Sequence, residues 1–127
     1  MINGAHVLLY SRDPEADRAF LRDTLELKSV DAGGGWLIFA LPPAEVAVHP
    51  TDAEEPTFHG GRDLLGAVLY FMCDDLKATM QQLASRLVAC TPVSRERWGI
   101  RTTIPLPSGG EVGLYQPTHP TALRLGR

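Results

Sequence analysis

The 127-residue chain has little of several features that would mark a particular class of protein. It holds two cysteines, Cys73 and Cys90, with neither a CxxC spacing nor the spacing of zinc ligands, so no disulfide framework or zinc site is predicted. No apolar run approaches the length of a membrane span, and the first residues lack the basic region of a signal peptide. These absences predict a cytoplasmic protein without a membrane partner, in which both thiols are reduced.

An excess of charge of one sign is also missing. Twelve Lys and Arg residues against 15 Asp and Glu residues give a net charge of −3 at neutral pH, with the signs interspersed. The short basic cluster of Arg95, Arg97 and Arg101 is interrupted by Glu96 and Trp98 and is interpreted as a solvated rim. We therefore expect no nucleic-acid partner. A hydrophobic share of 44% and a charged share of 21% are typical of one globular domain with its own core.

What the sequence does contain is an internal repeat. GAHVLLYSRD at 4–13 is matched 62 residues later by GAVLYFMCDD at 66–75, and Trp36 is matched by Trp98 at the same offset. LPPAEVAVHP at 41–50 then resembles LPSGGEVGLYQP at 106–117, with small insertions. Matches that keep the same order over most of both halves indicate a duplication.

Each half has the same pattern of predicted elements. A β-rich run is followed by a helix capped by Asp13-Pro14 or by Asp74-Asp75, and then by strand-like runs separated by turns. One short strand before each tryptophan is placed at 28–31 and at 87–90. The order βαβββ, used twice, predicts an α+β fold. The single domain 1–127 would then consist of module one (4–50), a polar linker (51–65), module two (66–117) and a tail (118–127).

This pattern resembles the vicinal oxygen chelate superfamily, which includes glyoxalase I, bleomycin resistance proteins and extradiol dioxygenases. The resemblance covers residues 4 to about 117 and rests on the HVxLxxxD-like start and the GGxVxLYQP-like end of the repeat. It implies tandem βαβββ modules whose curved mixed sheets enclose a cleft. It also implies a homodimer, because members of the superfamily commonly pair.

The resemblance further implies where metal ligands would stand, namely on the first and last strands of each module. His6 occupies the first-strand position of module one, but Val68 occupies that of module two. The last-strand positions hold Ala47 and Gly113. One ligand out of four is too few for a catalytic metal, which needs about three protein groups. We therefore predict no metal site and no cofactor, although a rearranged set of His6 with His49 or Glu111 stays open.

Strand alternation predicts which side chains share the cleft-facing side. The small residues Ala47 and Gly113 are expected to enlarge the cleft where ligands would otherwise project. An apolar concavity with a few polar groups is the usual composition of a small-molecule site. The predicted ligand-binding residues are His6, Tyr10, His49, Tyr70, Met72 and Tyr115.

A structural interpretation stands beside each of these assignments. His6 is equally well explained as a core histidine with a satisfied ring, and His49, followed by Pro50, as a solvated residue at the cleft mouth. Tyr70 and Tyr115 fit the core as ordinary aromatics. Other residues are predicted to be structural or remote: Trp36 and Trp98 as packing anchors, and His59 and His119 as non-catalytic residues of linker and tail.

Three functions follow from these observations. The first is a non-metal protein that binds a small organic molecule, with a planar or aromatic one favoured by the aromatic lining. The alternative is a lyase or dioxygenase-type enzyme that uses a rearranged metal site or a histidine general base. The third is an interaction module with a filled cleft, because one fold supports many functions.

Overall fold

The computed structural model describes residues 1–52 and 57–125. It contains two helices, α1 (Pro14–Asp23) and α2 (Leu76–Ser85). The eight strands are β1 (Ser29–Asp31), β2 (Leu37–Phe39), β3 (Thr57–His59), β4 (Arg62–Leu64), β5 (Tyr70–Met72), β6 (Ser94–Glu96), β7 (Gly99–Pro105) and β8 (Glu111–Pro117). This α+β composition confirms the predicted fold class. Over the described residues the strands form three separate sheets that do not close.

The first compact unit consists of Met1–Ala40 and Pro105–Glu111. The Asp13 carboxylate accepts a hydrogen bond of 3.2 Å from Ala16 N, and Pro14 occupies the first turn of α1, so the predicted cap is confirmed. Strands β1 and β2 pair antiparallel, with Val30 opposite Ile38. Glycines 33 to 35 turn the chain between them with positive φ angles, a conformation that other residues rarely adopt.

Asp17 connects α1 to the segment Pro105–Glu111 of the same unit, which contains Ser108. Its carboxylate is 7% exposed and accepts hydrogen bonds from Ser11 Oγ (2.6 Å) and from Ser108 N (3.0 Å). Burial raises the pKa of the Asp17 carboxyl, but the hydrogen bonds from Ser11 and Ser108 outweigh this effect, and the pKa lies below its ordinary value. The ionised carboxylate therefore stabilises the folded unit.

The second unit consists of Leu41–Ile104 and Val112–Arg127. Its four-stranded sheet has the order β5-β8-β7-β6, in which β5 runs parallel to β8. The core residues Val112 and Leu114 on β8 are almost fully buried, at 4% and 3% exposure. Helix α2 packs on the side of the sheet that carries Val112 and Leu114. There the Gln116 amide oxygen accepts a hydrogen bond of 2.9 Å from Leu76 N.

The start of α2 and the closing hairpin agree with the sequence. Asp75 caps the helix by accepting a hydrogen bond of 3.0 Å from Ala78 N, as predicted. The PSGG turn joins β7 to β8, and Leu106 N donates to Gly110 O across it at 2.8 Å. The predicted linker 51–65 contains an unpredicted hairpin, β3 and β4, which turns at Gly60-Gly61 with two positive φ angles. Residues 53–56 of that linker and 126–127 of the predicted tail lie outside the described residues.

Several predicted strands are shorter than expected or are not formed. Residues 1–12 and 41–52 belong to no helix or strand, and the strand predicted from 67 begins at Tyr70. The strand expected at 87–90 is not formed either. Alternating apolar residues indicate which side chains would share a face, whereas a strand also needs a neighbouring backbone to complete its ladder. No helix among the described residues is long and apolar enough to cross a bilayer.

The carboxylate of Asp17 gives a testable prediction. We expect Asp17→Asn to lower the free energy of unfolding by about 2 kcal/mol at neutral pH, because the amide cannot replace both charge-assisted hydrogen bonds. The folded-state pKa lies below the ordinary value of 3.8. The contribution is therefore fully present above that value and is lost as the pH falls through the folded-state pKa. Urea unfolding of both proteins across this pH range measures the difference.

The matched control is Asp23→Asn on the same helix. Asp23 is exposed and pairs with Arg22 at 2.7 Å, and we expect its replacement to change stability little. An equal loss in the two variants, or a loss for Asp17→Asn that stays constant at acidic pH, would contradict the assignment.

Candidate functional site

The parallel strands β5 and β8 carry several of the predicted site residues on one face of the sheet in the second unit. Tyr70 lies opposite Gly113 and Met72 lies opposite Tyr115 in the register of the two strands. Because side chains alternate along a strand, these residues share the face opposite to Val112 and Leu114, which point toward α2. Strand alternation in the sequence predicted this shared face.

Gly113 permits a close approach that no larger residue allows. A Cβ atom at this position would overlap the Cγ, Cδ1 and Cε1 atoms of the Tyr70 ring. The expectation that Gly113 enlarges the cleft is therefore wrong, because the Tyr70 ring fills that space. Gly99 has the same role on β7, where a Cβ would lie 2.9 Å from Tyr115 Cδ2 and 2.5 Å from Gln116 O.

Three aromatic rings meet on this face, and we call Tyr70, Trp98 and Tyr115 the aromatic cluster. Each pair packs edge to face, with ring centroids 5.6 Å apart for Tyr70–Trp98, 5.6 Å for Tyr70–Tyr115 and 5.1 Å for Trp98–Tyr115. Tyr115 is buried, whereas Trp98 stays 37% exposed. Trp98, predicted to be a packing anchor, therefore also presents ring surface on the face that carries Tyr70.

His119 closes one side of the aromatic cluster. Its Nδ1 lies 2.7 Å from Pro120 O, and since a carbonyl only accepts, we assign the ring proton to Nδ1. Nε2 is then an acceptor, and the Tyr115 hydroxyl donates to it at 2.9 Å. Burial raises the pKa of Tyr115, and the negative charge of Glu45 adds to the effect, so the phenol keeps its proton.

The tail that carries His119 is held against Trp98 by backbone contacts. Thr118 N donates to Trp98 O at 3.0 Å, and Thr118 Oγ1 donates to Arg97 O at 2.9 Å. Further along, Ala122 N donates to the Glu45 carboxylate at 2.8 Å. The sequence placed His119 in a remote tail, and no local pattern indicates that the chain folds back after Pro117.

Arg101 and Glu96 border the aromatic cluster at Tyr70. Arg101 Nη1 donates to the Tyr70 hydroxyl at 3.4 Å, and Arg101 Nε lies 3.3 Å from Glu96 Oε1. Ser94 Oγ donates to the same carboxylate oxygen at 2.7 Å. The hydrogen bonds from Ser94 and Arg101 hold the pKa of Glu96 below its ordinary value. The interpretation of Arg101 as part of a solvated rim missed its position beside the aromatic cluster.

The predicted ligand-binding residues are distributed over both units. Tyr70 and Tyr115 are in contact, and Met72, half-buried, is the strand partner of Tyr115. His49 belongs to the same unit; it is exposed, with Nδ1 2.7 Å from Pro50 O. His6 and Tyr10 are exposed residues of the first unit.

The metal chemistry of the resembled superfamily does not fit these residues. The position of a last-strand ligand is Gly113, where the Tyr70 ring already occupies the space that a side chain would need. Val68 and Ala47 offer no donor atoms. Within either unit, the described residues contain no group of three or more His, Cys, Asp and Glu side chains able to hold a metal ion.

A concavity lies on the helix side of the sheet in the second unit. It has a volume of about 490 Å³ and is bordered by α2 together with β6 and β7. Apolar side chains such as Leu76, Met80 and Ile100 line it together with charged and amide side chains, and it contains none of the predicted ligand-binding residues. We favour the aromatic cluster as the candidate site because polar groups converge there on exposed ring surface.

The contact between Gly113 and Tyr70 gives a second prediction. We expect Gly113→Ala to lower the free energy of unfolding by about 1–3 kcal/mol, because the added methyl must displace the Tyr70 ring. Near-ultraviolet circular dichroism should change as well, since the aromatic cluster rearranges. The control is Gly110→Ala, whose Cβ would lie 3.6 Å from Ser108 Oγ, an ordinary contact. Equal stability of the two variants would contradict the close packing of Tyr70.

Comparisons with known proteins find relatives by structure alone. No protein-family model matches the chain, and no curated protein matches it. Among solved structures, the chain is similar to TnmS3, an antibiotic binding protein from a Streptomyces species, with 26% identity and a TM-score of 0.58. The match covers 93% of this chain and 100% of the other.

Two further structures extend the likeness. Lactoylglutathione lyase from Agrobacterium tumefaciens is 19% identical, with a TM-score of 0.59 over 90% of this chain and 92% of the other. A member of the glyoxalase/bleomycin resistance protein/dioxygenase superfamily from Sphaerobacter thermophilus is 21% identical, with a TM-score of 0.56 over 91% and 98%. The chain therefore has the fold of the glyoxalase/bleomycin resistance protein/dioxygenase superfamily, which confirms the resemblance to the vicinal oxygen chelate proteins.

Proposed function

We propose that this chain binds a small, planar organic molecule at the aromatic cluster and does so without a metal ion. The observation that carries the proposal is the edge-to-face packing of three rings at 5.1–5.6 Å, with Trp98 left 37% exposed. Aromatic ring surface of this kind is well suited to stacking against a planar ligand. The likeness to an antibiotic binding protein supports the same class of function.

The aromatic cluster also has the rigidity that a binding surface needs. Tyr115 is fixed by its hydrogen bond to His119, and Tyr70 by its contact with Gly113 and its hydrogen bond from Arg101. Side chains held in one arrangement before binding lose less conformational entropy when a ligand arrives. We keep His6, Tyr10, His49 and Met72 as further proposed ligand-binding residues.

We also propose that the chain consists of two duplicated modules, 4–50 and 66–117.

We further propose that the protein is cytoplasmic. Both cysteines, Cys73 and Cys90, are free thiols whose pKa is raised by burial, which fits a reducing compartment.

The binding proposal is tested by ligand titration of two tryptophan variants. A panel of planar aromatic compounds, aromatic antibiotics among them, is titrated by calorimetry, and tryptophan fluorescence is recorded in parallel for the proteins that retain Trp98. We expect Trp98→Ala to weaken binding about tenfold or more, since the stacking surface is lost. The matched control, Trp36→Ala, removes an exposed tryptophan of the first unit that lies under the Arg18 guanidinium. It should retain both the affinity and the quenching of Trp98.

Two outcomes would contradict this function. The first is equal binding by the two tryptophan variants. The second is stoichiometric zinc, nickel, manganese or iron in protein purified without a histidine tag, which would favour the alternative of a lyase or dioxygenase-type enzyme with a rearranged metal site.

A homodimer is the second part of the proposal. Val46 and Val48 are 92% and 91% exposed on a segment that forms no strand, and Val68 is 83% exposed just before β5. Strand β5 is also an edge of its sheet. Exposed apolar segments and open strand edges favour association, and a second copy can cover them.

Measurement of the molar mass in solution tests the dimer. We expect a mass near twice 13.9 kDa at micromolar concentration. The double variant Val46→Lys, Val48→Lys should shift the equilibrium toward monomer, because each charge would have to lose its hydration in the interface. Leu87→Lys, at an isolated residue that is 96% exposed, is the control and should stay dimeric. A wild-type protein that is monomeric at these concentrations contradicts the proposal.

A further inference from the structure

Unused hydrogen-bond donors converge at one edge of the aromatic cluster. The Arg101 guanidinium has five N–H groups, of which one approaches Glu96 and one the Tyr70 hydroxyl. The Tyr70 hydroxyl accepts that bond and keeps its own proton to donate. No described residue of the second unit accepts from this proton or from the remaining guanidinium N–H groups. In the free protein water accepts from these exposed donors, and an oxygen atom of a ligand can replace it as the acceptor for both.

Glu96 satisfies Arg101 only in part. The Arg101 Nε–Glu96 Oε1 distance is 3.3 Å, longer than the 2.7–2.9 Å of a strong charge-assisted hydrogen bond. The same carboxylate oxygen already accepts from Ser94 Oγ at 2.7 Å. Both side chains of the pair are about one third exposed, at 38% and 33%, where ion pairs contribute little. The guanidinium is therefore available to a better-placed anion.

The position of the charge relative to the rings restricts the kind of ligand. The guanidinium carbon of Arg101 lies over the Trp98 ring, 5.9 Å from its centroid, so that a ligand can contact only the rest of the ring. A planar ligand that covers the exposed part of Trp98 therefore has its edge next to Arg101 and Tyr70. A cationic edge would meet the guanidinium charge, whereas an anionic oxygen would meet two donors.

We propose that the ligand is an aromatic acid, a planar ring system that carries a carboxylate or another acidic oxygen at its edge. Arg101 and Tyr70 donate to that oxygen while Trp98 contacts the ring. Glu96 opposes the anion, and its negative charge limits how tightly the acid binds. This ligand class rests on the proposed binding function and adds the requirement that the ligand carries a negative charge.

The test compares two ligands that share a ring and differ in charge, naphthoate and naphthylmethanol, by titration calorimetry on the full chain. We expect wild-type protein to bind naphthoate about tenfold more tightly, the value of one charge-assisted hydrogen bond. Arg101→Gln should remove this preference, because it lowers the affinity for naphthoate far more than the affinity for naphthylmethanol. Glu96→Gln should strengthen naphthoate binding a few-fold, because it removes the opposing charge.

Arg95→Gln is the matched control for net charge. Arg95 lies on β6, opposite Ile100 of β7 in the register, and it borders the concavity on the helix side of the sheet. The control removes the same charge as Arg101→Gln but should keep the preference for naphthoate.

Each outcome separates this inference from the proposed function. If neither ligand binds the wild-type protein, the proposed function fails together with this inference. Equal binding of the two ligands by wild-type protein would overturn the requirement for negative charge and leave the aromatic site intact. A preference that survives in Arg101→Gln, or that is lost equally in Arg95→Gln, would overturn the role of Arg101.

Discussion

The ring of Tyr70 lies against the backbone of Gly113 across the parallel strands β5 and β8, and the candidate site depends on this contact. Only a residue without a side chain lets an aromatic ring approach a neighbouring strand so closely. With Tyr70 in this place, Trp98 and Tyr115 can pack edge-on against it and against each other. Gly99 on β7 likewise leaves room for the ring of Tyr115 on the neighbouring strand β8.

The same contact leaves no room for a metal-ligating side chain at position 113 on β8. A ligand side chain at 113 and the Tyr70 ring cannot occupy one volume, so an aromatic surface and a metal ligand exclude each other at this position. What remains on the face is ring surface with polar groups around it. The Tyr115 hydroxyl donates a hydrogen bond to His119, and Arg101 lies beside Tyr70 with Glu96 next to it. These groups can bind and orient a small molecule, which is the function that we propose.

Residue patterns predicted much of the second unit but less of its site. The cap at Asp75, the turn at 107–110 and the strand 111–117 depend on local chemistry, and all three are found. Alternation also placed Tyr70 and Tyr115 on one face. The sequence predicted Trp98 to be a packing anchor, Arg101 to be part of a solvated rim and His119 to be a residue of the tail. Their roles at the site depend on how β7 and the tail lie beside β8. Those placements join residues that are distant in sequence, and no local pattern records them.

The sequence by itself determined the repeated residue pattern, the α+β class, the helix starts and the lack of donor side chains at Val68, Ala47 and Gly113. Each of these follows from residue type and spacing, since caps, turns and donor atoms are local properties. Only the tertiary structure decided that the space at Gly113 is filled by Tyr70, and that Arg101 and His119 border the aromatic cluster. The reason is steric: how much room a glycine leaves depends on the ring that packs against it from another strand.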